Sequence, residues 1–276
     1  MESPEFLIER SQWLRRELFE MVMRQRQGHI PSSYSAVEIL VSLFYGGVAN
    51  IVKGKPRSPG RDRVIVSKGH AAMAMYPILA DLGFFPKEEL SRFTRPEGIL
   101  GMYADMRIPG IEGVSGSLGH GLGMGAGFCL AARADGRKSR SFVLLGDGEC
   151  YEGSVWETAM FAAHHELDNL VAIVDRNALC ILGKTEELLR LGDLEAKWKS
   201  FGWRAVTADG HSYKSLLAAF ALVGKTGGKP LAIVANTVKG KGVSFMEGNA
   251  QWHNHMPDEA QAATARQDLA RNCILS

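Results

Sequence analysis

Apolar residues recur along this chain in two spacings, and the two spacings alternate from one end to the other. Segments with an apolar residue every three or four positions are predicted to be amphipathic helices. Short runs without such spacing are predicted to be strands; the two strongest, 141–145 and 170–174, are continuously apolar, as is typical of central parallel strands. The predicted helices are 6–26, 35–45, 71–83, 121–134, 151–167, 212–224 and about 257–272, and the predicted strands are 62–67, 141–145, 170–174, 203–206 and 231–236.

This alternation predicts an α/β fold with one doubly wound, mainly parallel sheet and helices on both faces. We expect residues 1–276 to form a single domain. Ser35 is expected to cap the second helix, with Glu38 completing a capping box. Three long irregular stretches, 45–64, 92–118 and 237–256, interrupt the pattern, and loops of that length in a compact domain are usually functional.

Composition narrows the possible partners. The chain is 46% hydrophobic and 22% charged, with a formal net charge of +2, which is ordinary for a soluble globular protein. We therefore predict no binding to nucleic acid or to a membrane, because neither a strong basic excess nor an apolar run of membrane-spanning length is present. The four cysteines form no CxxC pair and are predicted to be free thiols in the cytoplasm; they are Cys129, Cys150, Cys180 and Cys273.

Polar residues follow the two strongest strands at the point where each ends. Strand 141–145 runs into Gly146-Asp147-Gly148, and strand 170–174 runs into Asp175-Arg176-Asn177. In a doubly wound sheet, ligands bind beyond the carboxyl ends of the strands, so neighbouring strands would bring Asp147 and Asn177 to one point. One carboxylate and one amide oxygen suit Mg²⁺, and the N–H groups that open the next helix favour a phosphate. A metal-bound diphosphate is one interpretation of this pattern, and a simple helix cap at Asp147 is the other.

The glycines of "GLGMGA", residues 121–126, fit a dinucleotide-binding pattern. That pattern requires a strand immediately before it, and the preceding "IEGVSGSLGH" has no strand character. We interpret these glycines as a thin helix face that allows close packing.

An ordered set of motifs resembles the transketolase family. The set covers nearly the whole chain but only the diphosphate-binding half of the family. The motifs are "GHIPSSYSAVEIL" (28–40), "DRVIVSKGHA" (62–71), "PGIEGVSGSLGHGLGMGAG" (109–127), "GDGECYEGSVWE" (146–157), "DRN" (175–177), "FGW" (201–203), "DGH" (209–211) and "TVKGKGVSFMEGNAQWH" (237–253).

The resemblance implies a site for thiamine diphosphate and Mg²⁺ or another divalent cation. The implied metal ligands are Asp147, Asn177 and the backbone carbonyl of Leu179. The implied cofactor-binding residues are His70, Gly116, Ser117, Leu118, Gly148, Glu152, Asn177 and His253. The implied catalytic residues are His29, His70 and His253, with His29 at the substrate hydroxyls. Glu152 and Glu157 match acidic residues that link two active sites across a subunit interface, whereas His164, His165 and His211 are expected to be structural or solvated.

Two positions depart from the family pattern. Met102 stands at the expected place of a histidine associated with donor hydroxyls, which puts the usual donor in doubt. His120 stands where glutamine is common, and it either compensates or caps the following helix.

The resemblance implies transfer of a two-carbon ketol unit from a ketose donor to an aldose acceptor, both sugars or sugar phosphates. It also implies a second chain. The activating glutamate belongs to a pyrimidine-binding domain, and after residue 253 only about one helix remains. We therefore expect a separate C-terminal pyrimidine-domain subunit, in an α₂β₂ complex, docking near Glu152, Trp156 and the 110–120 loop. Two alternatives stay open: a carboligase subunit with a 2-oxoacid donor such as pyruvate, and a non-catalytic cofactor-binding or regulatory subunit.

Overall fold

Five parallel strands form one sheet in the order β1-β2-β3-β5-β4. The computed structural model describes residues 2–271. The strands are β1 (Arg63–Val66), β2 (Ser141–Gly146), β3 (Leu170–Arg176), β4 (Arg204–Asp209) and β5 (Leu231–Asn236). All four neighbouring pairs are parallel, so the predicted fold class is confirmed.

Ten α-helices connect and flank these strands within residues 2–271. They are α1 (Pro4–Gln25), α2 (Ile30–Tyr34), α3 (Val37–Phe44), α4 (Met75–Asp81), α5 (Gly121–Ala134), α6 (Gly153–His164), α7 (Thr185–Leu188), α8 (Leu194–Ser200), α9 (Tyr213–Phe220) and α10 (Glu259–Arg271). Short 3₁₀ helices cover Gly69–Ala74, Lys87–Arg92, Gly148–Tyr151 and Ala250–Trp252. The prediction for 121–134 matches α5, and the predicted end of the last helix at Asn272 lies outside the described residues.

Helices cover both faces of the sheet, and each face has its own hydrophobic core. Successive side chains of a strand point to opposite faces, so Phe142 and Leu144 pack with α1, α3 and α9, while Val143 and Leu145 pack with α5, α6 and α8. The continuously apolar pattern of β2 is explained by this burial on both sides. No helix among residues 2–271 is long and apolar enough to cross a membrane.

The predicted cap of the second helix was wrong. Helix α3 begins after Ala36, and no side chain caps it. The Ser35 hydroxyl instead donates to Asp175 Oδ2 at 2.6 Å, and Glu38 forms a buried ion pair with Arg15. Both side chains are buried, and buried polar atoms need hydrogen-bond partners. Ser35 and Glu38 therefore bond to residues from distant parts of the chain and do not cap the helix.

Candidate functional site

The register of the two central strands brings the predicted metal ligands together. Gly146 of β2 lies opposite Asp175 of β3, so Asp147 and Asn177 follow at the same edge of the sheet. Asp147 is 2% exposed and accepts hydrogen bonds from the Gly148 N–H at 2.8 Å and the Ala178 N–H at 2.6 Å. The turn that follows β3 is thereby tied to the end of β2.

The same turn presents two further oxygens. The Asn177 Oδ1 accepts from the Leu179 N–H at 3.1 Å, and the Leu179 carbonyl lies 3.5 Å from the Lys239 Nζ. Ala178 sits between them in the left-handed region, with φ 60°. A carboxylate, an amide oxygen and a backbone carbonyl form a donor set suited to a hard divalent cation.

The electrostatics of Asp147 fit a cation. Burial, and then the neighbouring Asp175 carboxylate, raise the pKa of Asp147 to about 6. The buried ammonium of Lys68 pairs with Asp175. A divalent ion beside Asp147 would stabilise its charged form, so the residues present fit the group that the sequence implied. Within residues 2–271, no group of three or more His, Cys, Asp or Glu side chains is arranged to hold a metal ion. The predicted ligand set consists of one carboxylate, one amide oxygen and one backbone carbonyl, so it does not depend on such a group.

The three predicted catalytic histidines form one cluster. The ring centroids of His29 and His253 are 5.5 Å apart, those of His70 and His253 5.3 Å, and those of His29 and His70 5.9 Å. The Lys239 Nζ lies 2.8 Å from His253 Nδ1. Because an ammonium only donates, His253 accepts at Nδ1 and carries its proton at Nε2.

All three histidines are neutral at pH 7. Burial, followed by the charge of Lys68, lowers the pKa of His70 to about 2, and burial with Lys239 lowers that of His253 to about 3. Burial also lowers the pKa of His29, whose buried Nδ1 has no hydrogen-bond partner among residues 2–271. Neutral imidazoles can both donate to and accept from sugar hydroxyls.

A cavity of about 350 Å³ connects the strand ends with this cluster. It is lined by seven of the predicted residues: His70, Leu118, Asp147, Gly148, Asn177, Leu179 and His253. Gly116 and Ser117 are exposed at the tip of their loop, and Glu152 is exposed beneath it, outside the cavity lining. A larger cavity of about 540 Å³ lies beside α1 and α9, but none of the predicted site residues lines it.

Four residues of the site were missed by the sequence analysis: Lys68, Tyr103, Glu149 and Lys239. Lys68 and Lys239 are 1% exposed, and burial followed by Lys68 lowers the pKa of Lys239 to about 8. Both lysines lie inside the family motifs, Lys68 in "SKGH" and Lys239 in "TVKGKG". A charged residue beside glycines was the sequence feature that could have indicated their place in the site.

Tyr103, and not Met102, lies beside the histidine cluster. Met102 packs partly buried against the main core, whereas the Tyr103 ring lies 6.0 Å from that of His29. His120 is exposed, and its side chain does not cap α5. Of the other histidines, His164 and His165 are exposed, as expected, and His211 is structural, because it hydrogen-bonds both Glu38 and the Val238 N–H.

The expected docking surface is only partly exposed. Trp156 is half-buried and stacks on Phe201, with ring centroids 5.1 Å apart. The exposed apolar side chains nearest the cavity lie instead on the turn after β3 and around α7; they are Ile181, Leu182, Leu188 and Leu189.

Comparison with known proteins identifies the family. Residues 11–273 match the family described as transketolase, thiamine diphosphate binding domain, and the chain belongs to it. It is 38% identical over 256 residues to an apulose-4-phosphate transketolase subunit from Phocaeicola vulgatus, covering 93% of this chain and 91% of the relative. It is 39% identical over 245 residues to the 6-deoxy-6-sulfo-D-fructose transketolase subunit SqwG of Clostridium sp. (strain MSTE9), covering 87% of this chain and 88% of that protein.

The crystal structure of transketolase from Campylobacter jejuni superimposes with a TM-score of 0.86 at 27% identity. That match covers 98% of this chain and 43% of the solved chain. The present chain therefore spans nearly all of the two subunit relatives but less than half of the solved transketolase.

Proposed function

We propose that this chain is the N-terminal, diphosphate-binding subunit of a two-chain transketolase, which moves a ketol unit from a ketose donor to an aldose acceptor. The observation that carries the proposal is the convergence of Asp147, the 177–179 turn and two of the clustered histidines, His70 and His253, on one cavity. The match over nearly the full length of two transketolase subunits supports it. When bound, thiamine diphosphate supplies a carbon nucleophile and an electron sink.

Each residue of the site has a role in this proposal. Asp147, Asn177 and the Leu179 carbonyl would hold Mg²⁺, which would offset the charge of the diphosphate. The Gly148 backbone N–H and the Lys239 ammonium would bind the diphosphate, and Gly116, Ser117 and Leu118 would contact the cofactor rings. Glu152 carries a charge beneath that loop, toward the partner subunit.

The histidines handle protons and hydroxyls. Because His253 keeps its proton at Nε2, it can donate to an oxygen of the donor, while its Nδ1 is held by Lys239. His70 lines the cavity beside it, and the ring of His29 packs against both of theirs. The buried Nδ1 of His29, which has no hydrogen-bond partner among the described residues, would accept from a sugar hydroxyl. His70 and His253, with neutral rings, would hold the reacting carbonyl oxygen by hydrogen bonds.

Tyr103 takes the part in donor recognition that the resemblance gives to a histidine at the position of Met102. Its ring faces His29 and is 45% exposed, so its hydroxyl is free to meet a donor hydroxyl. The names of the relatives denote two different substrates, an apulose phosphate and a sulfo-sugar. We infer that the donor of this chain is a ketose whose identity is set around Tyr103.

The activating carboxylate is supplied by a separate pyrimidine-domain subunit, in an α₂β₂ complex. Two relatives of nearly the same extent are named as subunits. Ile181, Leu182, Leu188 and Leu189 form an exposed apolar border beside the cavity, which is typical of a partner interface. Cys129, Cys150 and Cys180 are free, in agreement with a cytoplasmic enzyme, and Cys273 lies outside the described residues.

The test is reconstitution. The chain, alone and with a pyrimidine-domain subunit, is saturated with thiamine diphosphate and Mg²⁺ and assayed for ketol transfer, with carbon dioxide release measured in parallel. We expect transfer only from the pair, and no binding of thiamine diphosphate in Mg²⁺ when Asp147 is changed to Ala. Turnover by the chain alone would refute the two-chain assignment, and carbon dioxide release from pyruvate would identify the 2-oxoacid alternative. Unchanged cofactor affinity in Asp147→Ala would refute the metal site.

A further inference from the structure

A buried carboxylate, Glu149, joins three segments at the wall of the cavity. It is 2% exposed. Its Oε1 accepts hydrogen bonds from the Ser67 hydroxyl, just beyond β1, and from the Gly119 N–H at 2.8 Å. Its Oε2 accepts from the Gly146 N–H at 3.0 Å, at the end of β2. Ser67 in turn accepts from the Gly121 N–H at 3.0 Å, so the loop before α5 is connected to Glu149 at two points.

The base of that loop is closely packed, whereas its tip is open. A Cβ atom on Gly119 would lie 2.5 Å from Ser154 Oγ, and one on Gly121 would lie 2.4 Å from Ser67 Cβ. A Cβ atom on Gly116 would meet nothing within 4 Å. The loop therefore has a base fixed against Glu149 and Ser67 and a tip that protrudes beside the cavity.

We propose that Glu149 is a positioning residue whose carboxylate holds the base of the 115–121 loop, so that its tip stands ready for the cofactor rings. The inference rests on the proposed function only in naming the cofactor as the molecule that meets the tip. Glu149 acts through the loop: its oxygens are occupied by donors from Ser67, Gly119 and Gly146.

A carboxylate is the group that these contacts require. Each carboxylate oxygen accepts hydrogen bonds, so the Glu149 side chain satisfies the donors on both of its sides. A glutamine amide accepts only at its single oxygen, and its NH₂ group would face a donor that the second carboxylate oxygen binds. Glu149→Gln therefore weakens the docked state of the loop. If the loop opens with constant K, and only the docked loop binds the cofactor, the apparent Kd rises by the factor 1 + K.

Hydrogen exchange measured by mass spectrometry on the full chain without cofactor reports K directly. We expect exchange of peptides covering 115–121 to rise at least about tenfold in Glu149→Gln, equivalent to ~1.4 kcal/mol. Peptides from β2 and β3 should keep their protection. The Kd for thiamine diphosphate in Mg²⁺ is measured by titration calorimetry. It should rise by the value of 1 + K in Glu149→Gln divided by the value of 1 + K in the wild type.

Glu88→Gln serves as the matched control, because Glu88 is exposed on the 3₁₀ helix Lys87–Arg92. It should leave both measurements unchanged. If Glu149→Gln exposes the strands as well, Ser67→Ala decides the question: it removes one donor to the carboxylate and should loosen the same segment to a smaller extent.

Unchanged exchange at 115–121 in both variants would overturn the proposal. A measured change in Kd that differs more than threefold from the change calculated from 1 + K would also overturn the proposal, since Glu149 would then act on the cofactor by another route. The exchange measurement needs no cofactor. A reconstituted pair that failed to bind thiamine diphosphate would therefore refute the proposed function and leave the test of the loop intact.

Discussion

Replacing Glu38 with Gln should destabilise the fold at neutral pH and reduce its sensitivity to acid. The Glu38 carboxylate accepts from Arg15 Nη1 at 2.7 Å and Nη2 at 2.9 Å, and its Oε2 lies 2.9 Å from His211 Nδ1. His211 Nε2 accepts from the Val238 N–H at 2.8 Å, so the His211 proton resides on Nδ1 and is donated to Glu38. This chain of contacts fixes α3 to the segment that carries Lys239 and His253.

The magnitude follows from the pKa of Glu38. Burial alone raises it, but the Arg15 charge and the His211 hydrogen bond outweigh burial and lower the pKa from 4.5 to about 2. Each pKa unit is worth ~1.4 kcal/mol, so the ionised carboxylate contributes roughly 3 kcal/mol to the free energy of unfolding. Breaking a buried ion pair by removing one partner costs about 3–5 kcal/mol, which agrees. Because the folded pKa is depressed, this stability is complete above pH 4.5 and is lost as the pH falls toward 2.

Urea unfolding followed by tryptophan fluorescence, at fixed protein concentration, provides the assay. At pH 7, Glu38→Gln should lower the free energy of unfolding by roughly 3 kcal/mol, and the difference from wild type should shrink between pH 5 and pH 2.5. Glu20→Gln is the control, because the Glu20–Arg266 pair is 40% and 47% exposed and should be worth less than ~1 kcal/mol. Equal losses in the two variants, or a difference independent of pH, would refute this reasoning.

Two further predictions concern the site. Tyr103→Phe should lower kcat/KM for the native ketose donor by roughly tenfold in the reconstituted enzyme, because it removes the hydroxyl that would bond the donor. Met102→Leu should preserve the ranking of a donor panel. Equal effects of the two variants would place donor recognition elsewhere. Gly69→Ala should destabilise the chain by more than about 1 kcal/mol, because its Cβ would lie 1.8 Å from the Ser115 carbonyl oxygen. In thermal unfolding, Gly127→Ala in α5, with no atom within 4 Å of the new Cβ, should be neutral or stabilising.

The sequence by itself determined the parallel sheet and the placement of Asp147 and Asn177 at the carboxyl ends of their strands. Both follow from local patterns: continuously apolar strands must be buried on two faces, and parallel strands end at the same edge. The family resemblance implied one site for His29, His70 and His253, and in the structure their ring centroids lie 5.3 to 5.9 Å apart. The order of the strands, with β5 between β3 and β4, carried no comparable local signal.

Only the tertiary structure decided which polar residues serve the site and which serve the fold. Ser35 and Glu38 bond to Asp175 and His211, 140 and 173 residues away in sequence. Tyr103 rather than Met102 faces His29. The sequence could not settle this shift of one residue, because an irregular loop has no periodicity. Glu149 and Lys239 look like surface charges in the sequence. Their roles arise from burial, which obliges a carboxylate or an ammonium to take partners from segments that only the folded chain brings together.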